Sequence, residues 1–195
     1  EVDLSPDRAL IGNSVKKKGL ATYRELMSNV SNKTNQSGRA LAKVLESWVN
    51  NMFARAAIQM SQNPLGEANI ERIAENLMLQ DCAKLQSLPY GYEFTMGLRL
   101  FWKASRTSDM NEKLTGQENV LRWFRGEFKT NQEAKKELGI NATVQDENWF
   151  DYIVLWAQFF VLAGYKGFIV LIDELAYICN TANGITRQNN YEKIL

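Results

Sequence analysis

Histidine is absent from all 195 residues, which removes His general bases, Ser-His triads and the usual zinc sites together. Any chemistry must then run on carboxylates, lysine, arginine or hydroxyls. Cysteine is almost as scarce. Cys82 and Cys179 lie nearly a hundred positions apart and form neither a CxxC pair nor a disulfide framework, so a reduced, cytoplasmic setting is expected. An excess of either charge is also missing: 23 Lys and Arg stand against 22 Asp and Glu, and no overall field draws the chain to nucleic acid or to an anionic membrane. The densest basic run is only Lys16-Lys17-Lys18, which reads as a solvated turn before a helix. The most apolar region, Trp149 to Ile172, is interrupted by Asp151, Gln158 and the GYKG of Gly164 to Gly167, so it reads as buried helix, turn and strand and not as a membrane span. Finally, no GxxxxGKS or GxxxxGKT occurs: GNSVKKKG at Gly12 lacks the spacing and the hydroxyl, and GYKGF at Gly164 leads into a strand. Within these residues there is no phosphate-cradling loop.

What is present is an ordinary globular composition, 45% apolar and 23% charged, enough for one sizeable core or two small ones. Val2 to Leu4 reads as a short strand broken by Ser5-Pro6. Gly19 to Ser31 places Leu20, Tyr23, Leu26, Met27 and Val30 on one helical face, and NKTNQS from Asn32 to Ser37 is a loop by composition. The clearest helix spans Gly38 to Ser61, with Leu41, Val44, Leu45, Trp48, Val49, Met52, Phe53 and Ala56 at steps of three and four; at 1.5 Å per residue it is roughly 36 Å long. After Asn63-Pro64 a helix carries Ile70, Ile73, Leu77 and Cys82 to about Leu88-Pro89, PYGYEF reads as a turn, and Phe94 to Ser105 resumes helical spacing. Glu118 to Phe128 and Asn131 to Leu138 add two shorter charged helices. Asp146 is placed to cap a last long helix whose Trp149, Phe150, Ile153, Val154, Trp156, Ala157, Phe160 and Val161 leave only a thin polar stripe, a core set more than a ligand platform. Phe168 to Ile172 follows as an unalternating strand, the pattern of one covered on both faces in a parallel sheet. Strand, long helical excursion, strand implies parallel strands with the helices in a subdomain between them. There is no internal repeat.

The stretch GFIVLIDELAYI, Gly167 to Ile178, holds the chemistry. Its apolar strand runs into Asp173 and Glu174 side by side. In phosphate-transfer sites such a strand delivers an Asp that holds hydrated Mg2+, while a following Glu orients and deprotonates the attacking water. A strand that simply ends in charges at the surface accounts for the same residues, and then nothing is bound.

EVDLSP, ATYREL, GFIVLIDEL and RQNNYEKIL resemble, in this order, the P-loop ATP-binding proteins of the BREX phage-defence islands; the likeness is strong at both ends and weak through the helical middle. In that family a Walker A loop and its helix precede the strand that here begins at Glu1. The resemblance therefore implies a central fragment, starting after Walker A and stopping shortly beyond Walker B. It implies a mainly α chain of about seven helices with two short adjacent parallel strands, a piece of a P-loop NTPase sheet with a large helical insert. Residues 1–18 would be strand and turn of the core, 19–164 the insert, and 165–195 the Walker B strand and the start of the next helix. By carry-over Asp173 is the Walker B aspartate holding Mg2+ through water, and Glu174 the catalytic glutamate of the AAA+-like, additional-strand class. Asp3 would come near the same sheet edge, either at the site or capping the turn at Ser5. Arg187 would sense a phosphate or reach a neighbouring subunit, or else pack on Tyr191. ATP and Mg2+ are then cofactors of the parent protein, with none held tightly by this fragment alone, which is expected to be inactive. Partners are other defence-system proteins or further copies of the chain, and DNA through the full system, with no membrane. A non-enzymatic helical interaction module is the competing expectation.

Overall fold

The computed structural model describes residues 3–4, 19–35, 40–62 and 69–172, together with Gly184 and Gln188. In chain order the described elements are β1 (Asp3–Leu4), α1 (Gly19–Ser28), α2 (Ala40–Gln62), α3 (Ile70–Leu85), α4 (Gly91–Arg106), α5 (Met110–Phe124), α6 (Asn131–Leu138), α7 (Trp149–Leu162) and β2 (Leu171–Ile172). The chain is mostly helical, with seven helices among the described residues.

The long helix α2 forms for the reason its spacing gives: Leu41, Val44, Leu45, Trp48, Val49, Met52 and Ala56 are buried along one face over 23 residues. It packs along α3, and α4 packs along α5, so the body is built from two helical hairpins. Helix α7 joins them. Its Trp156 ring stands against Phe94 of α4, Phe124 of α5 and Phe159 and Phe160 of its own helix, at centroid distances of 5.0, 4.9, 5.5 and 5.5 Å. Phe159 reaches Trp48 of α2 edge to face at 5.4 Å. Such stacked and edge-on contacts are the favourable ring geometries, and they make one continuous core.

Gly97 lets α4 and α5 approach. A methyl group there would lie 2.8 Å from the Trp123 ring and 2.9 Å from the Phe124 ring. Gly91 is needed at the tight α3–α4 corner, where a Cβ would meet the Leu85 carbonyl oxygen at 2.0 Å. Tyr90, just before it, is in the left-handed region with φ 57°.

Several boundaries differ from the sequence reading. PYGYEF is not wholly a turn: Gly91 to Phe94 form the first turn of α4. The helix expected over Glu118 to Phe128 begins eight residues earlier, because Asp109 caps Met110–Phe124 by accepting the Glu112 N–H at 2.9 Å. It ends before Gly126, whose φ is 71°. Helix α1 stops at Ser28 and α3 at Leu85, short of Ser31 and Leu88.

Asp146 does not cap α7. Its Oδ1 accepts the Leu20 N–H at 2.8 Å and so caps α1, 126 residues away in sequence. The N-cap position of α7 is Asn148, whose side chain instead ties the preceding loop, accepting the Gln145 N–H and donating to the Thr143 carbonyl. Helix α7 is not buried all round either: Tyr152, Leu155, Trp156, Phe159 and Phe160 face the core, whereas Phe150 and Val161 are 61% and 53% exposed.

The strand expected over Phe168 to Ile172 is confined to Leu171–Ile172. It is not covered on both faces. Phe168 and Val170 pack on the core while Ile169 and Leu171 are 67% and 44% exposed, a period-two alternation. Strand β2 pairs with β1 in parallel, Asp3 beside Leu171 and Leu4 beside Ile172. No helix among the described residues is long and apolar enough to cross a membrane.

Candidate functional site

Asp3 belongs to β1, and its backbone lies next to Leu171. Strand β2 ends at Ile172, and Asp173 and Glu174 follow it directly in sequence. Asp173, Glu174 and Arg187 themselves lie outside the described residues. The structure thus brings Asp3 to the strand that leads into the acid pair.

The approach to that strand is well anchored. Leaving α7, the chain turns at Ala163 and Gly164. Tyr165 then meets the Phe160 ring at 6.2 Å, and its hydroxyl accepts a hydrogen bond from Asn32 Nδ2 at 3.1 Å. Phe168 stacks obliquely on Phe160 at 5.0 Å. Since Phe160 is itself part of the Trp156 cluster, the aromatic core fixes the chain just ahead of β2.

That core contains one buried polar relay. The Tyr23 hydroxyl donates to the Phe124 carbonyl at 2.6 Å and accepts from Trp156 Nε1 at 2.9 Å. Burial drives the Tyr23 pKa far up, and the hydroxyl stays protonated. Tyr152 is raised likewise by burial, with Glu93 adding to the effect, and its hydroxyl is one of two buried polar side-chain atoms without a hydrogen-bond partner among the described residues; Trp48 Nε1 is the other. Burial also pushes the Cys82 thiol up to about 12, so it is an unreactive core group donating weakly to the Met78 sulfur. These groups are structural.

A second feature was not singled out by sequence reasoning. Helices α3 and α4 diverge around an open groove of about 580 Å³, with Met78, Met96, Leu100 and Trp102 among its apolar lining and Tyr92 at its edge. Its α3 wall carries Glu71 and Glu75, and its α4 wall carries Arg99, Lys103 and Arg106. Arg106 pairs with Glu71 and lies over the Phe53 ring at 4.7 Å. The signal was legible as carboxylates spaced i, i+4 and cations spaced i, i+4, i+7. It was hidden by reading each helix alone, as charge on a solvated face.

Parallel strands that lead into carboxylates at their C-terminal edge are how open α/β sheets assemble nucleotide sites. Comparison with known families makes the class specific, an ATP-binding protein. Residues 1–195, the whole chain, match the family of BREX system ATP-binding proteins BrxC/D, and the chain belongs to that family. Membership ties it to a phage-defence system. No curated protein and no solved structure matches it.

Proposed function

We propose that the chain supplies the Walker B part of an ATP-hydrolysing, AAA+-like site, with residues 19–164 as a helical insert between the two strands of its sheet. The observation that carries the reading is the parallel register of β1 and β2, with β2 leading straight into Asp173-Glu174 in a chain matched throughout by an ATP-binding family. The exposed Ile169 and Leu171 fit a strand that further elements of such a sheet would cover.

The donor set suits Mg2+, a hard ion usually held by one or two carboxylates with several waters retained. When bound, it would supply positive charge that offsets the negative charge developing in phosphoryl transfer. Asp173 would hold it through a water molecule, and Glu174 would orient the attacking water and take its proton. Asp3, on the neighbouring strand, sits at the same edge, and Arg187 is a candidate for contacting a phosphate or a neighbouring subunit. Because the GxxxxGKS/T pattern does not occur in these residues, the lysine and amide cradle come from elsewhere in the protein. The 195 residues alone then bind ATP poorly and do not turn it over. The setting is cytoplasmic, with other components of the defence system or further copies of the chain as partners and DNA reached through the full system.

Hydrolysis and nucleotide binding by the parent protein test the assignment. Glu174→Gln should keep nucleotide and lose turnover, whereas Asp173→Ala should weaken magnesium-dependent binding. Equal hydrolysis by wild type and Glu174→Gln would reject Glu174 as the base. Turnover by residues 1–195 alone, abolished by Glu174→Ala, would reject the need for a separate cradle.

A further inference from the structure

The α3–α4 groove combines an apolar floor with two rims of opposite charge. Met78 and Trp102 form its buried base, Met96 and Leu100 are half-buried, and Tyr92 stands 61% exposed at its edge. The acidic rim is on α3 and the basic rim on α4. At one end they are joined by the Arg106–Glu71 pair. Further along, the side chains of Glu75, Arg99 and Lys103 are exposed and make no hydrogen bond or ion pair among the described residues. Were this an ordinary hairpin seam, the helices would close over the methionines and the facing charges would pair. Instead α3 packs on α2 and α4 on α5, which leaves the seam open.

From Arg99 to Arg106 the basic rim spans seven residue steps, about 10.5 Å along the axis. That is the length of two turns of another helix. A hydrophobic seam flanked by charges of opposite sign is what a coiled-coil partner reads through its apolar stripe and flanking positions. We infer that the α3–α4 groove docks an amphipathic helix of a partner protein, its apolar stripe on Met78, Met96 and Trp102, its acidic flank beside Arg99 and Lys103, its basic flank beside Glu75.

Charge excludes the nearest rival. A nucleic-acid strand would bring a phosphate per nucleotide against Glu71 and Glu75, with no help from a net charge of +1. A helix with two unlike flanks satisfies both walls at once. The groove's volume also lies within the usual range for ligand sites, but a small anion would leave the acidic wall facing it.

The test uses the full chain and three fluorescein-labelled synthetic 18-residue helices that share one leucine face. One carries Glu along one flank and Lys along the other, the second Glu on both, the third Lys on both. By anisotropy the mixed helix should bind tightest. Arg99→Glu with Lys103→Glu makes both rims acidic; it should weaken the mixed helix about tenfold, each exposed pair contributing modestly, and make the all-Lys helix the tightest. Met96→Asp should weaken all three. The reversed positions are exposed, so an unchanged thermal melt shows that the rim variant is folded, and it carries the test even where Met96→Asp fails to fold. Equal binding of the three helices to wild type, or an unchanged order in the rim variant, overturns the inference. Binding of a 15-residue oligothymidine that the rim reversal abolishes also overturns it, in favour of a single-stranded nucleic-acid site.

Discussion

Tyr23→Phe removes a single oxygen from the centre of the protein and leaves the ring in place. In the native state that hydroxyl has two partners, the Phe124 carbonyl at 2.6 Å and Trp156 Nε1 at 2.9 Å. Phe124 is the last residue of α5, where helical carbonyls run out of intrahelical donors. The substitution therefore orphans a carbonyl and an indole N–H in a region where Tyr23 and Trp156 are both 0% exposed. A buried group left unpaired costs about 1–3 kcal/mol. Two such groups, partly relieved because no hydroxyl need be desolvated, give a net loss of about 2–4 kcal/mol. For a domain of this size that lowers Tm by about 4–16 °C. Urea titration at neutral pH is the assay, with an unchanged m-value confirming that only stability has moved. The pair Tyr23→Phe and Trp156→Phe completes a double-mutant cycle. Because each change breaks the same hydrogen bond, the double variant should lose less than the sum of the singles. A loss below about 0.5 kcal/mol for Tyr23→Phe, or strict additivity, would show that the relay contributes nothing net.

Two further outcomes follow from the same core. Gly97→Ala should destabilise by about 1–3 kcal/mol, because its methyl would press on the Trp123 and Phe124 rings at 2.8 and 2.9 Å, and chemical denaturation of the variant checks this. Alkaline pH should weaken the fold: Cys82, Tyr23 and Tyr152 all have raised folded pKa values, so the native state keeps protons that the unfolded chain releases. Their stabilisation is intact below pH 9, is lost for Cys82 between 9.0 and about 12, and declines for the tyrosines above 10.0. Each group contributes a slope of up to about 1.4 kcal/mol per pH unit, readable from urea midpoints at pH 8, 10 and 11, and flat midpoints would refute the assignment.

Periodicity made α2 and α7 legible, since one side of each is strongly apolar over several turns. It failed where local signals competed with tertiary ones. Asp146 stands just ahead of an apolar run and looks like its cap, yet the N-terminus of α1 packs there and takes the carboxylate. PYGYEF has turn composition, but the corner is completed by Tyr90 with φ 57°, and helix resumes at Gly91. The start of α5 was missed because Met110 and Leu114 are 64% and 56% exposed, so its first turns lack an apolar face and only the Asp109 cap announces them. The α3–α4 groove was invisible for a different reason. Its charges are ordinary on each helix, and only the way the two hairpins splay makes them face one another.

The acid pair shows the limit of a single motif. Asp173 and Glu174 are readable as carboxylates at the end of an apolar run, and the run fits a strand end as well as a nucleotide site. What the fold adds lies before them. Trp156 gathers rings from α4 and α5, Phe160 extends that cluster to Tyr165 and Phe168, and Asn32 in the loop after α1 fastens the Tyr165 hydroxyl. Every helix that contacts this cluster therefore helps to set where Leu171 meets Asp3. The helical body is more than an ornament between two strands: it holds the approach to the carboxylates on one side, while its α3–α4 groove offers a partner a foothold on the same rigid core. A helix docked in that groove would act on Met78 and Trp102, and Trp102 touches Trp48, which touches Phe159 beside Trp156. The groove floor and the approach to β2 therefore rest on one continuous run of ring contacts, from Trp102 through Trp48, Phe159 and Trp156 to Phe160 and Phe168.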